Sequence, residues 1–307
     1  MTIPCTILIP TKDRPDLLRR AIKSALKAAP AEAEILVVDD KSNPPARNIL
    51  AEFDDPRLIA LVNNGPNGAA AARNFGLKKA RGRIVFFLDD DDEILPNYCT
   101  EILNRVIPEN NSVDYGFSAV LFANRNKGDE TVGNNRLPHG IIARTEPFRR
   151  KICPFSAGFW IKRSVFEELG PIDESLATNE DTEYLCRLID TEKTAWFSAQ
   201  PGVRIHTHGA NTPIGTLGHV TTRTHSTSRA QYFLTIFNRH KNLVRSDKSA
   251  RQHLARRYIK LSTKSGRLRE SWEFAGALPT LSERISARLY AVVNFTVYRL
   301  SGKHPKT

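Results

Sequence analysis

Arg83-Ile84-Val85-Phe86-Phe87-Leu88-Asp89-Asp90-Asp91-Asp92 decides the fold. Five apolar residues, rich in branched and aromatic side chains, run straight into four carboxylates. Such a run reads as a buried strand of a parallel sheet. The acids then stand at its carboxyl end, the edge where ligands bind in open α/β sheets. Four adjacent carboxylates repel one another and are costly there without something positive. A divalent cation carrying a phosphorylated ligand answers that need.

The flanking sequence repeats the theme. Cys5–Ile9 reads as a first strand, and Pro15 suits the first turn of the helix that follows. Leu17, Leu18, Ala21, Ile22, Ala25 and Leu26 recur at helical spacing. Glu34–Val38 is a second strand ending in Asp39-Asp40, and Leu58–Val62 is a third. A helix of small residues over Asn67–Ala80 leads to the fourth strand, Arg83–Leu88. Strands alternating with helices predict a mainly parallel, Rossmann-like sheet flanked by helices. Beyond it, Tyr115–Phe122 reads as a strand and Asn124–Asn135 as a polar loop. Val165–Glu168 and Asp181–Ile189 read as helices, and Ala195–Ser198 as a late strand.

The chain has 307 residues, 40% hydrophobic and 25% charged, which suits a soluble protein of one large or two smaller domains. No apolar run reaches the roughly 20 residues that span a bilayer. The start has no basic n-region and reads as the first strand, so no signal peptide is expected. Cys5, Cys99, Cys153 and Cys186 have neither zinc spacing nor the density of a disulfide framework, which points to reduced thiols in the cytoplasm. The net charge of +12 is uneven: residues 220–307 hold 18 Lys and Arg against 4 Asp and Glu. This shift sets a domain boundary near Thr221. The basic extension suits an anionic partner, lipid or nucleic acid, or simply a solvated helical face.

Several residues carry chemistry. Asp39-Asp40 follow the second strand as Asp90-Asp91 follow the fourth. Two acidic strand ends in one parallel sheet can face a single crevice and accept hydrogen bonds from a ribose or a base, although each alone is a common turn acid. In Asn67-Gly68-Ala69-Ala70-Ala71-Ala72-Arg73-Asn74, small side chains permit close backbone approach, and Arg73 can pair with phosphate. There is no G-x-G-x-x-G after the first strand and no P-loop, which disfavours a dinucleotide or P-loop site.

Taken in order, these pieces resemble glycosyltransferase family 2, whose fold is GT-A. The matching stretches are Thr6–Pro15 (TILIPTKDRP), Val37–Ser42 (VVDDKS), Asn67–Gly76 (NGAAAARNFG), Phe87–Asp92 (FLDDDD) and Asn179–Tyr184 (NEDTEY). The resemblance implies a GT-A catalytic domain over 1–220, with a nucleotide-sugar-binding half (1–110) and an acceptor-binding half (111–220). A basic, mostly helical extension follows over 221–307. It implies an inverting transfer from a nucleotide-sugar, a UDP-sugar in the first instance, to a glycan or lipid-linked acceptor. Asp40 would hold uracil or ribose, with Pro10 and Thr11 lining the same pocket and Arg73 near the donor. Asp91 and Asp89 would be the acids of the D-x-D motif that holds Mn²⁺ or Mg²⁺. Asp181 would be the catalytic base beside Glu180. Asp90 adds a charge where the family often has a small neutral residue, which leaves open which of Asp89–Asp92 touch the metal; Asp90 is placed with the donor-binding residues.

Other features fit less tightly. Trp160, in Ser156–Trp160, stacks on a sugar or packs in the core. His206 and His208 share a face of an extended segment, and His206 is a candidate metal ligand. Leu281, Ile285, Leu289, Val292 and Leu300 form an apolar face with Arg284, Arg288, Arg299 and Lys303 nearby. That pattern predicts peripheral contact of 280–307 with an anionic membrane at its inner face. Two rival readings remain. A nucleotidyltransferase would need a glycine-rich basic loop where Thr11–Pro15 stands. A basic nucleic-acid-binding protein leaves the acids at two strand ends without a role.

Overall fold

The computed structural model describes residues 3–106, 112–124, 130–134, 136–207 and 224–301. The chain divides into two compact units. The first runs to Leu217, apart from 147–149 and 176–179; the second takes those two segments and 218–307. Thr221 lies outside the described residues.

The first unit is built on β1 (Cys5–Thr11), α1 (Pro15–Ala28), β2 (Glu34–Asp39), α2 (Arg47–Leu50), β3 (Leu58–Val62), α3 (Ala69–Lys79) and β4 (Ile84–Phe87). It continues with β5 (Glu93–Ile94), α4 (Tyr98–Val106), β6 (Tyr115–Asn124), β7 (Glu130–Gly133) and β8 (Gly140–Ile141); α5 (Phe148–Lys151) follows, with Phe148 and Arg149 assigned to the second unit. β9 (Trp160–Lys162), α6 (Arg163–Leu169), α7 (Glu180–Asp190) and β10 (Ala195–Thr207) complete it. Strand order is β3-β2-β1-β4-β9-β6-β10-β5, with β7 paired to β6 and β8 to β10. β1 through β4 are mutually parallel, as are β6 and β10; β9 is inserted antiparallel between β4 and β6.

The apolar runs bury both faces of the sheet. Leu8, Leu36, Val38, Val85 and Phe87 pack on α3 on one side. Ile7, Ile9, Ile35, Val37 and Phe86 pack on Leu18, Ile22 and Ala25 of α1 on the other. α3 has to be small because it lies so close to the sheet. A Cβ at Gly76 would meet Leu8 Cδ1 at 2.2 Å and Val38 Cγ2 at 2.9 Å, and a well-packed core has no room for that.

Two expectations change. The polar loop over 124–135 contains β7, a short edge strand whose Glu-Thr-Val-Gly sequence carries no apolar alternation. The late strand runs on from Ser198 to Thr207, because Pro201 sits where the register of β10 against β6 shifts, and proline is tolerated at such irregularities. Of the two readings of Trp160, core packing holds, since it is 0% exposed within β9.

The second unit is helical: α8 (Ser226–Arg239), α9 (Lys241–Ser246), α10 (Lys248–Lys264), α11 (Leu268–Gly276) and α12 (Leu281–Leu300). Asp247 caps α10 by accepting from the backbone of Ser249 and Ala250. Thr280 and Glu283 form a capping box at the start of α12, with Glu283 N donating to Thr280 Oγ1 at 3.2 Å.

Candidate active site at the carboxyl ends of the parallel strands

β1, β2 and β4 run parallel, so their last residues share one edge. Asp40 N donates to Thr11 O at 2.9 Å, and Thr11 Oγ1 donates to Asp90 Oδ2 at 2.8 Å. Pro10, Thr11, Asp40 and Asp90 therefore lie on adjoining strand ends. Asp40 is tied down on both oxygens: Asn63 Nδ2 donates to Oδ1 at 2.9 Å and Gly68 N to Oδ2 at 2.8 Å. Gly68 has φ of 122°, in the region that favours glycine. Asp39 turns the other way and accepts from the backbone of Ser42 and Ala46, as a turn acid does.

The four acids after β4 separate into distinct roles. Asp90 is held by Thr11 and by Arg14, whose Nη1 reaches Asp90 Oδ1 at 3.0 Å and Asp91 Oδ2 at 3.2 Å. Burial pushes the Asp90 carboxyl up to about 6, against the pull of Arg14. Arg20 donates to the carbonyl of Asp91. Asp89, Asp91 and Asp92 present carboxylate oxygens within 4.8 Å of one another. Burial, then Asp89 and Asp91, push Asp92 up to about 9. Burial is the larger cause, and the neighbouring carboxylates add to it.

α3 and α7 complete the site. Arg73, buried on α3, donates through Nη2 to Asp89 Oδ1 at 2.7 Å and through Nη1 to Glu180 Oε1 at 3.0 Å. Its guanidinium lies 5.3 Å from the centre of the Phe155 ring. Glu180 and Asp181 open α7, where acids suit the helix dipole. Burial first, then Asp181, push Glu180 up to about 7, against Arg73. Burial also raises Asp181, whose Oδ1 accepts from the backbone of Thr182 at 2.6 Å.

His206 lies outside the three-carboxylate cluster. Its backbone N–H donates to Asp92 Oδ1 at 3.1 Å, but its Nε2 is 2.6 Å from Glu93 Oε1. A ring held by Glu93 supports the cluster from the side rather than entering it. His208 lies outside the described residues. Sequence reading left the place of Asp92 in the cluster open and gave no role to Arg14, Arg20 or Phe155. A basic residue beside a helix start reads as solvated, and only the acids opposite reveal what Arg14 and Arg20 do.

A family model described as glycosyl transferase family 2 matches residues 6–170, more than half of the chain. The chain belongs to glycosyl transferase family 2. It is 37% identical over 188 residues to the UDP-Glc:alpha-D-GlcNAc-diphosphoundecaprenol beta-1,3-glucosyltransferase WfgD of Escherichia coli, covering 59% of this chain and 74% of that protein. It is 32% identical over 184 residues to the O-antigen biosynthesis protein RfbC of Myxococcus xanthus, 55% of this chain but only 14% of that one. Several relatives, the E. coli one among them, are named glycosyltransferases, and the chain spans only a small part of the M. xanthus protein. Staphylococcus aureus TarS 1-349, solved in complex with UDP-GlcNAc, shares the fold with a TM-score of 0.70 at 14% identity, over 97% of this chain and 91% of that one. The GT-A fold and the family stand; the nucleotidyltransferase and non-catalytic readings fall. No described helix is long and apolar enough to cross a membrane.

Proposed function

We propose that this family 2 enzyme moves a sugar from a UDP-sugar to a hydroxyl of a lipid-linked glycan, with inversion at the anomeric carbon. The observation that carries the reading is the bridge Asp89–Arg73–Glu180. It brings the acids that follow β4 and the acids that open α7 into one buried site, so donor diphosphate and acceptor hydroxyl can meet. The lipid-linked acceptor is supported by the diphosphoundecaprenol substrate in the name of the E. coli relative.

In this reading Pro10, Thr11 and Asp40 line the nucleoside end of the donor, and Asp90 is fixed beside them by Thr11 and Arg14. Asp89, Asp91 and Asp92 offer an all-oxygen donor set, the chemistry that suits Mg²⁺ or Mn²⁺. Bound there, the cation would neutralise charge developing on the nucleoside diphosphate leaving group. Asp181 takes the proton of the acceptor hydroxyl as its oxygen bonds to the anomeric carbon and the bond from that carbon to the diphosphate oxygen breaks, releasing the nucleoside diphosphate. A buried carboxylate whose pKa is raised is a stronger base than an exposed one. Arg73 keeps Glu180 and Asp89 from repelling Asp181 and the diphosphate.

The test is turnover. Purified enzyme is offered UDP-glucose, UDP-N-acetylglucosamine and GDP-mannose, with a polyprenyl-diphosphate-linked N-acetylglucosamine acceptor and Mn²⁺. Transfer from one UDP-sugar, giving a product of inverted configuration, is expected. A retained configuration, or transfer from the GDP-sugar alone, overturns the reading.

A further inference from the structure

α12 is built the wrong way round for a helix that only packs on its neighbours. Leu281, Ile285, Leu289, Val293, Val297 and Leu300 recur every three or four residues and so form one stripe along the helix. Each is more than half exposed, from 52% at Ile285 to 82% at Leu300. The opposite face, which packs inward, holds small or paired residues. Ala287 and Ala291 are buried, and Glu283 is clasped by Arg251 Nη2 at 3.0 Å. A contiguous apolar stripe of this length on the outside of a protein marks an interaction surface.

We propose that this stripe seats the enzyme in the surface of an anionic lipid bilayer, with α12 lying in the interfacial plane. Charge selects the occupant. The 18 Lys and Arg of residues 220–307 face only four acids, and each of these is already engaged. Asp247 caps α10, Glu283 holds Arg251, Glu270 pairs with Arg267 at 3.3 Å and Glu273 with Arg269 at 2.9 Å.

On the helical wheel Arg284, Arg288 and Arg299 border one side of the stripe. Arg256 of α10 lies over Tyr290 toward the other. Arg288 stacks on Trp272, itself 43% exposed, and Arg299 on Phe295. Basic side chains and aromatic rings bordering an apolar strip are what a headgroup region accepts: stems and rings in the acyl boundary, charges on the phosphates. A second copy of the chain is a poorer partner. A two-fold contact would set these arginines against their own equivalents, and residues 220–307 hold no uncommitted acid to meet them. α12 does not span the bilayer, because its inward face is committed to the other helices of its unit and no described helix qualifies as a span.

The inference does not depend on which sugar is transferred, since its readout is binding. Full-length protein is floated with vesicles of phosphatidylcholine alone or of phosphatidylcholine and phosphatidylglycerol, at low and high salt. The same is done for the triple variant Ile285→Ser, Leu289→Ser, Val293→Ser, whose exposed positions leave the fold intact by circular dichroism. Recovery with anionic vesicles at least ~10-fold above neutral ones, reduced by salt and lost in the triple variant, supports the proposal. A wild-type protein that stays with the lipid-free fraction overturns it. So does equal flotation of the triple variant, or a wild-type dimer that the triple substitution dissociates without any lipid dependence.

Discussion

Arg73 and Asp89 form a 2.7 Å ion pair that is the inner hinge of the site, because the same guanidinium also holds Glu180. One buried cation thereby fixes an acid from the β4 end and an acid from the start of α7.

Replacing Arg73 with Met should therefore cost stability as well as activity. Breaking a buried ion pair by removing one partner costs about 3–5 kcal/mol. The melting temperature should fall by roughly 10 °C, and transfer should be undetectable. A variant that melts like the wild type would mean that the bridge is not formed in solution.

The pH dependence of stability carries the mark of Glu180. Its carboxyl is raised from 4.5 to about 7, so the folded state holds a proton that the unfolded state has lost. Its contribution is therefore least unfavourable below pH 4.5, worsens as pH climbs through the interval up to about 7, and is then constant. Urea unfolding at a series of pH values should show this decline, and Glu180→Gln should make it shallower, the remainder coming from the raised Asp90 and Asp92. A wild-type curve that rises through the same interval and is unchanged by the substitution would contradict the assignment.

Asp181→Asn tests the base. Loss of a positioned general base lowers kcat by about 10²–10⁴, while the KM for the donor should change less than about two-fold, because the residue acts on the acceptor. An equal loss of donor binding would move Asp181 to the donor side.

How much of this was open to sequence reading follows from locality. β1 to β4 are legible because each is a continuous apolar run closed by turn or acidic residues, and α3 because its alanines and glycines stand together. β9 is not, because three residues with Trp160 at their head look like any buried segment, and β7 carries no alternation at all. The acids are legible as a cluster, but their division is not. Thr11 selects Asp90 from 79 residues away, and Arg73 joins Glu180 across 107. Spacing along the chain cannot reveal partners that only the sheet brings together. The helices after Ser226 are legible as basic and amphipathic. That α12 turns its large apolar residues outward depends on Ala287, Ala291 and Glu283 winning the inward face.

If Asp89, Asp91 and Asp92 complete a cation-dependent site for a uridine diphosphate, a thermal-shift titration will register it. UDP, GDP and CDP are each added with and without Mn²⁺ to wild type and to Asp91→Asn. A ligand at about 100 times its Kd stabilises by roughly 2.7 kcal/mol, several degrees in melting temperature. That shift is predicted for UDP with Mn²⁺ in the wild type only. A shift of equal size without the metal, or in Asp91→Asn, would contradict the account.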